Sequence, residues 1–327
     1  MPNCWACNVR ARSLVAFAFA ISNCAYAQNY PAKPVRLIVP FPAGGGSDVI
    51  GRILAQKLGE RFGQQVIVDN RAGAGGSIGT EAVVKAPPDG YTVMLASTSE
   101  IAINPGIYSK LNYDTVKDLA AVAMVASTPM VVIIHPTFPI ASMRELVALA
   151  KAKPGAINVA SSGAGTITHL SGELLRSMAG VTWMHVPYKG APAALTDLAS
   201  GQVQVMFSSL PAAMAFIKSH RVKPIAVSGR TRAESLPQIP TVIESGVPGY
   251  DVEYWYGIFA PAATPRDALT RLSDEIAASL KLPDMVNNLA NQGAAPGRLT
   301  QIQFADFVKS EVVKWGGVVK SSGARAD

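Results

Sequence analysis

Cysteine is nearly missing from this chain: Cys4, Cys7 and Cys24 are its only three, and all fall within the first 27 residues. A chain that loses those residues has no disulfide, no thiolate nucleophile and no cysteine-held metal. Charge is sparse as well. Asp, Glu, Lys and Arg make up 16% of residues, against roughly 25% in an ordinary soluble domain. No run of Lys and Arg interleaved with aromatics is present to track a nucleic-acid backbone, so no nucleic acid is expected as a partner. Beyond the N-terminal segment no apolar run approaches the roughly 20 residues that span a bilayer. The histidines, His135, His169, His185 and His220, show no H-E-x-x-H or other paired spacing, and no metal site is expected. Nucleotide fingerprints are absent too, both G-x-x-x-x-G-K-[ST] and a G-x-G-x-x-G that follows a strand, so no cofactor is expected. Gly75 to Gly79 spells G-x-S-x-G. A long loop separates it from the strand ending at Asp69, whereas a nucleophile elbow needs a tight strand-to-helix turn. Catalysis is left without a nucleophile, metal or cofactor, and a binding protein is the expectation.

The N-terminus has the parts of an export signal. Arg10 and Arg12 precede the apolar run Ser13 to Ile21, and Ala25-Tyr26-Ala27 offers small residues where a signal peptidase reads. Cleavage after Ala27 would leave 300 of the 327 residues, beginning at Gln28. A lipoprotein site at Cys24 is disfavoured, because Ile21-Ser22-Asn23 lacks the usual Leu and the small residue before a lipidated cysteine. The leader's two arginines, with no acids, bring the formal charge from +7 to +5. That charge is scattered, and a mildly positive field suits small anions. Export without disulfides fits a bacterial periplasm.

What the remaining chain does have is alternation of short β-branched runs and helical stretches. Val35 to Val39, Gln65 to Asp69 and Tyr91 to Ala96 read as strands. Helices follow the first two, the second over Thr80 to Lys85. After the extended stretch Ala121 to Pro136 the rhythm resumes. Helices are expected over 142–151, 168–179, 191–200 and 211–219, with strands over 157–160, 181–188, 203–207 and 223–228. Helices around 266–280 and 302–314 close the chain. This βαβ order predicts a mostly parallel sheet covered by helices. Two α/β lobes joined by extended crossings is the economical arrangement; one continuous doubly wound sheet is the alternative.

Two loops stand out. "VRLIVPFPAGGGSDVIGR" runs from a strand through Gly44-Gly45-Gly46-Ser47 into an amphipathic helix, and "INVASSGAGTITHLSGELL" repeats the layout. Each places backbone N–H groups at a helix N-terminus, where the dipole favours negative charge. Ser47, Ser161, Ser162, Thr166 and Thr168 add hydroxyls. Such loops lie beyond the carboxyl ends of the strands, where open α/β sheets bind ligands. If they face each other, a small dicarboxylate fits between them. Tight turns with N-caps explain each loop singly; the pair favours binding. Asp48 reads as a helix-start acid for first-turn N–H groups. His169 either touches the ligand or bonds back to its own loop. Lys189 and Arg71 are candidate electrostatic partners, and Tyr254, Trp255 and Tyr256 read as core.

Taken in order, "PVRLIVPFPAGGGSDVIGR", "VDNRAGAGGSIGTEAV", "PPDGYTVM", "YDTVKDLAAVAMV", "SSGAGTITHLSGELL", "VPYKGAPAALTDLASGQVQVMF" and "LPQIPTVIESGVPGYDVEYWYGIFAPAATP" resemble the Bug-type, or TctC, family of tripartite tricarboxylate transporter receptors. The resemblance runs from about Lys33 to the last helix. It implies an α/β, two-lobed periplasmic binding fold, closing like a flytrap, with two crossover segments. Lobe 1 would comprise 28–125 and 251–327, and lobe 2 would comprise 126–250. It also implies capture of a small carboxylate (a di- or tricarboxylate, amino acid or aromatic acid) for a pair of membrane subunits. The other roles weighed are a ligand-binding input serving a sensor kinase and an extracytoplasmic enzyme acting on an acid. The ligand-binding set it implies joins Phe41, Ala43, Gly44, Gly45, Gly46 and Ser47 with Ser161, Ser162, Gly163, Gly165 and Thr166. Ser97, Thr98, His169 and Ser208 complete it. In the family, backbone amides and bridging waters do most of the holding. Many relatives carry proline where this chain has Ala43.

Overall fold

The computed structural model describes residues 30–326. The expected leader, its cleavage after Ala27 and Cys24 lie outside them. The described residues from 33 onward belong to one compact unit, and 30–32 to another.

The first half of the alternation folds as read. Strand β1 (Val35–Val39), helix α1 (Gly46–Phe62), strand β2 (Val66–Asn70), helix α2 (Ser77–Val84) and strand β3 (Thr92–Ser97) follow in order. β1 lies parallel between β2 and β3, with Leu37 opposite Val68 and Val93. Leu37, Ile38 and Val39 are buried there, between neighbouring strands and under helices α1 and α2, which pack on β1. A π-helical turn (Ser99–Ile103) and helix α3 (Asn104–Ile107) come next, in a stretch where no helix was expected.

Strand β4 (Leu119–Ile134) is the spine of the molecule. Its residues up to Pro129 pair antiparallel with strand β9 (Glu253–Pro261). From Met130 onward it runs antiparallel between strands β7 (Val205–Ser209) and β8 (Lys223–Val227). Two sheets thus share one strand, and the change of partner falls at Pro129, which has no N–H to give to a ladder. Ser228, fully buried, ties this crossing to the returning one. Its N–H donates to Met130 O at 2.9 Å, its hydroxyl accepts from Met130 N–H at 2.7 Å and donates to Val252 O, and Val252 N–H donates back to Ser228 O.

The second sheet is built from helix α4 (Met143–Ala152), strand β5 (Asn158–Ser161), helix α5 (Ile167–Ala179), strand β6 (Met184–Pro187), helix α6 (Ala191–Ala199), β7, helix α7 (Leu210–Lys218) and β8. β5 lies parallel between β6 and β7. After β9 come helix α8 (Arg266–Ser279), helix α9 (Pro283–Asn291), the two-residue strand β10 (Ala295–Pro296) and the closing helix α10 (Gln301–Ser322). Thr300 and Gln303 form a capping box that starts α10. The indole N–H groups of Trp255 and Trp315 donate to Glu311 Oε2 at 3.0 and 3.1 Å, anchoring α10 to β9.

The mostly parallel sheet needs correction. β1, β2 and β3 are parallel, as are β5, β6 and β7, but β4 and β9 run antiparallel to each other and to β7 and β3. The cause is that β4 runs through both sheets, antiparallel to β7 in one and to β9 in the other, which makes each sheet mixed.

Candidate functional site

The first wall begins where β1 ends. Gly44 adopts φ +81°, a region that disfavours side chains. Its N–H donates to Asp48 Oδ2 at 2.9 Å, and Gly45 N–H closes a turn on Pro42 O at 3.3 Å. The first two glycine amides are therefore spent inside the loop. The amides of Gly46, Ser47 and Asp48, the first three of α1, make no hydrogen bond among the described residues. Gly46 is required for closeness rather than for φ. A Cβ there would lie 2.6 Å from the Tyr256 hydroxyl and nearer still to that of Ser209.

Asp48 does not cap the first turn as expected; it braces the loop from beneath. Oδ2 accepts from Gly44 N–H and from Arg52 Nε at 3.0 Å, and Oδ1 accepts from Asn70 Nδ2 at 3.0 Å. Asn70 Nδ2 also donates to Phe41 O at 3.0 Å. Burial raises the Asp48 pKa, but these hydrogen bonds outweigh it and hold the carboxyl below its usual range. Sequence reading missed Asn70. Its only signal was an amide directly after a strand that pairs with β1.

The second wall is built differently. Ser162 N–H donates to Thr168 Oγ1 at 2.8 Å, Gly163 N–H to Ser161 Oγ at 3.2 Å and Gly165 N–H to His169 Nδ1 at 3.2 Å. Thr166 N–H closes on Gly163 O, and Ile167 N–H reaches across to Ser99 Oγ at 3.1 Å. The expected row of free amides is absent here, because hydroxyl and imidazole acceptors compete for them. The wall instead presents a hydroxyl cluster. Ser162 Oγ and Thr166 Oγ1 each lie 2.8 Å from Thr168 Oγ1.

His169 takes the second of its two readings, a bond to its own loop. Its ring stacks on His185 with centroids 3.9 Å apart and planes 12° apart, and His185 Nε2 lies 2.7 Å from Ser161 Oγ. Burial lowers both imidazoles to about 4.

The two walls face each other across one cleft. Its narrow inner part is lined by Gly46 and Ser47 on one side, Ser162 and Thr168 on the other, with Ser209 and Tyr254 at its base. The volume there is about 30 Å³, room for one water rather than a carboxylate. The walls touch at the rim: a Cβ on Gly190 would sit 2.6 Å from Pro42 Cγ. Phe41, Pro42 and Ser162 also line an adjoining compartment of about 490 Å³ with Tyr108, Tyr188 and the Gly73 to Gly76 loop. Lys189 is the one charged side chain lining it among the described residues. Arg71 is instead paired with Asp69 at 3.0 Å. A separate cavity of about 550 Å³, by Thr128, Pro129, Glu253 and Arg298, lies at the crossings and shares no lining residue with the loops.

Ser97, Thr98 and Ser208 are fully buried and line neither part of the cleft. Ser97 Oγ accepts from Tyr254 OH at 2.9 Å and donates to Glu100 Oε2 at 2.7 Å, so it orients Tyr254. Thr98 Oγ1 accepts from Trp255 N–H at 3.2 Å, and Ser208 Oγ donates to Ser209 O at 3.2 Å. Glu100 is buried with no cation beside it among the described residues, and burial pushes its carboxyl up to about 8 in spite of the donors from Ser97. Tyr254 belongs both to the core, as expected, and to the cleft. The aromatic run in the sequence could show only the first of these.

The chain and its fold are similar to known proteins. The profile of the tripartite tricarboxylate transporter family receptor, TctC, matches residues 50–324. The chain is similar to Protein BugT of Bordetella pertussis, 36% identical over 91% of this chain and 92% of that one. Among solved structures it is similar to an R. palustris protein with adipate, at 34% identity and TM-score 0.89, covering 91% of this chain and 99% of the other. It is also similar to MatC from Rhodopseudomonas palustris with bound malate, at 29% identity and TM-score 0.84, covering 89% and 100%. With the fold and the length of the match in agreement, the chain belongs to the TctC family of tripartite tricarboxylate transporter receptors.

Proposed function

We propose that this chain captures a small carboxylate outside the cytoplasm, without turning it over, and delivers it to the membrane subunits of a tripartite transporter. One observation carries the reading: two strand-to-helix loops oppose each other across one cleft, with amides of Gly46 and Ser47 on one wall and hydroxyls of Ser162 and Thr168 on the other. A carboxylate is acceptor-only and needs converging donors, which these groups are. The neighbours with adipate and malate support the same ligand class. The adjoining compartment suits the body of the ligand, with Phe41 and Tyr108 as apolar walls and Lys189 for a second anionic end.

The ligand-binding set divides by role in this reading. Phe41, Ala43, Gly44, Gly45, Gly46 and Ser47 shape and supply the first wall, and Ser161, Ser162, Gly163, Gly165 and Thr166 the second. Ser97, Thr98, Ser208 and His169 act from behind. Lobe 1 comprises 28–125 with 251–327 and lobe 2 comprises 126–250, supported by the change of partner at Pro129 and the return at Val252. The first 27 residues serve as an export signal. That suits the receptor family and the finding that no helix among the described residues is long and apolar enough to cross a membrane.

A thermal-shift panel of succinate, malate, citrate, adipate and benzoate on the chain from Gln28 tests this. A ligand that binds only the folded state stabilises it by about 2.7 kcal/mol at one hundred times Kd. At least one acid should raise the melting temperature, while matched amides and alcohols leave it unchanged. A flat response to every acid would remove the carboxylate reading.

A further inference from the structure

We propose that His169 and His185 are positioning residues for the ligand: the neutral stacked pair holds the Ser161 to Gly165 loop in the shape that turns Ser162 and Thr168 to the cleft, so binding follows the state of the pair. The proposal rests on the carboxylate reading only for its choice of probe. Neither ring lines the cleft. Each instead holds one end of the loop, His185 Nε2 at Ser161 Oγ and His169 Nδ1 at Gly165 N–H. Ser161 Oγ in turn accepts from Gly163 N–H at 3.2 Å and donates to Gly163 O at 3.1 Å. Gly165 sits at φ +78°, which glycine adopts freely, and its N–H is directed at the His169 ring.

The bond to Gly165 fixes the tautomer. Nδ1 accepts, so the proton of His169 is on Nε2. A second proton would sit on Nδ1 and point at the Gly165 N–H, replacing a hydrogen bond with two opposed donors. It would also place a cation against a ring 3.9 Å away. The surroundings offer little relief. Glu173 Oε1, one turn along α5, is 4.0 Å from His169 Nε2, but Glu173 is already engaged by Arg176 at 2.7 Å, and Arg176 disfavours a charge on His169. The segments β5, β6 and β7 bring no other ionisable group, and α10, which packs on α5, brings no charge that acts on either ring. Burial and this weak compensation keep both rings neutral down to about pH 4.

The test uses the uniformly ¹⁵N-labelled chain from Gln28, with adipate as probe. Three proteins are compared by amide exchange at Gly165, by imidazole ¹⁵N shifts and by calorimetric affinity. These are the wild type, His169→Leu, which keeps bulk and loses the acceptor, and His169→Asn, whose Oδ1 can stand in for Nδ1 but does not titrate. In the wild type, Nδ1 of His169 should read as unprotonated and the Gly165 amide as protected. In His169→Leu, exchange at Gly165 should quicken at least tenfold and adipate affinity at pH 7.5 should fall at least tenfold. His169→Asn should recover most of both, and between pH 6 and pH 4 its affinity should decline less steeply than that of the wild type. Adipate's own titration is common to the two, so the difference isolates the imidazole. Unchanged exchange at Gly165 in His169→Leu, or identical pH profiles for wild type and His169→Asn, would overturn the proposal. If His169→Leu fails to fold, the wild-type ring shifts and the His169→Asn profile still decide it. If wild type binds neither adipate nor any acid of the panel, the carboxylate reading fails, and the exchange and ring-shift arms judge the positioning role alone.

Discussion

Gly44, Gly45 and Gly46 look alike in sequence and do three different things. Gly44 supplies a left-handed turn, Gly45 closes that turn on Pro42, and Gly46 lets two hydroxyls approach the start of α1. Gly46→Ala forces a methyl into Ser209 and Tyr256, an overpacking that costs about 1–3 kcal/mol of stability. Its effect on carboxylate affinity should exceed that of Ser162→Ala, which removes one donor among several and costs about 1 kcal/mol, roughly fivefold. Calorimetry on both, with melting curves as controls, checks the order; equal affinities would show that the first wall does not hold the anion. Glu100 offers a test through pH. Burial lifts its pKa to about 8, above the ordinary 4.5 of a glutamate, so the folded state keeps a proton that the unfolded chain loses. Stability from this group is full below pH 4.5 and is lost as pH rises toward 8. The melting temperature of Glu100→Gln relative to wild type should therefore climb between pH 5 and pH 8.5. A difference that stays constant would mean that Glu100 is already ionised when buried.

At the scale of elements, the alternating units were readable because each helix and strand carries its own period. Val35 to Val39 and the apolar face of 168–179 needed no distant partner to be recognised. The direction of β4 was not readable. A 16-residue stretch that is apolar apart from Ser127, Thr128 and Pro129 announces burial but not which strands flank it, or that its flanking strands change at Pro129. The hydroxyl cluster of the second wall was half readable: the serines and threonines were visible, but not that Ser161 and Thr168 would consume the amides beside them. Ser228, unremarked in the sequence, fastens both crossings through four hydrogen bonds with Met130 and Val252, two through its hydroxyl. Ser228→Ala strands the Met130 N–H and should lower stability by about 1–3 kcal/mol. It should also quicken amide exchange at Met130 and Val252 while leaving Gly46 and Ser47 unaffected. Exchange unchanged at both crossings would show that the backbone pairing alone secures them.

For the whole molecule, the narrow inner cleft and the contact of Pro42 with Gly190 describe walls already drawn together, with space for a water where an anion would sit. A ligand must part the walls to enter and can then bridge donors on both. In this reading β4 and the segment returning at Val252 form the hinge, and the packing of α10 on α5 and the Ile167 to Ser99 contact shift with it, a motion of the kind that closes two-lobed receptors on their ligands. Family membership and architecture were legible from the ordered motifs, since those motifs span nearly the whole folded chain. The closed cleft was not, because it depends on distances between loops more than 100 residues apart. In the proposed function one acid is held between two walls and released unchanged. Titration calorimetry of the chain from Gln28, with whichever acid of the panel stabilises it most, measures this directly. The expected result is a stoichiometry of one acid per chain and a heat that returns to baseline after each injection. A continuing heat flow that marks turnover, or two independent equivalents that mark separate sites on the two walls, would contradict it.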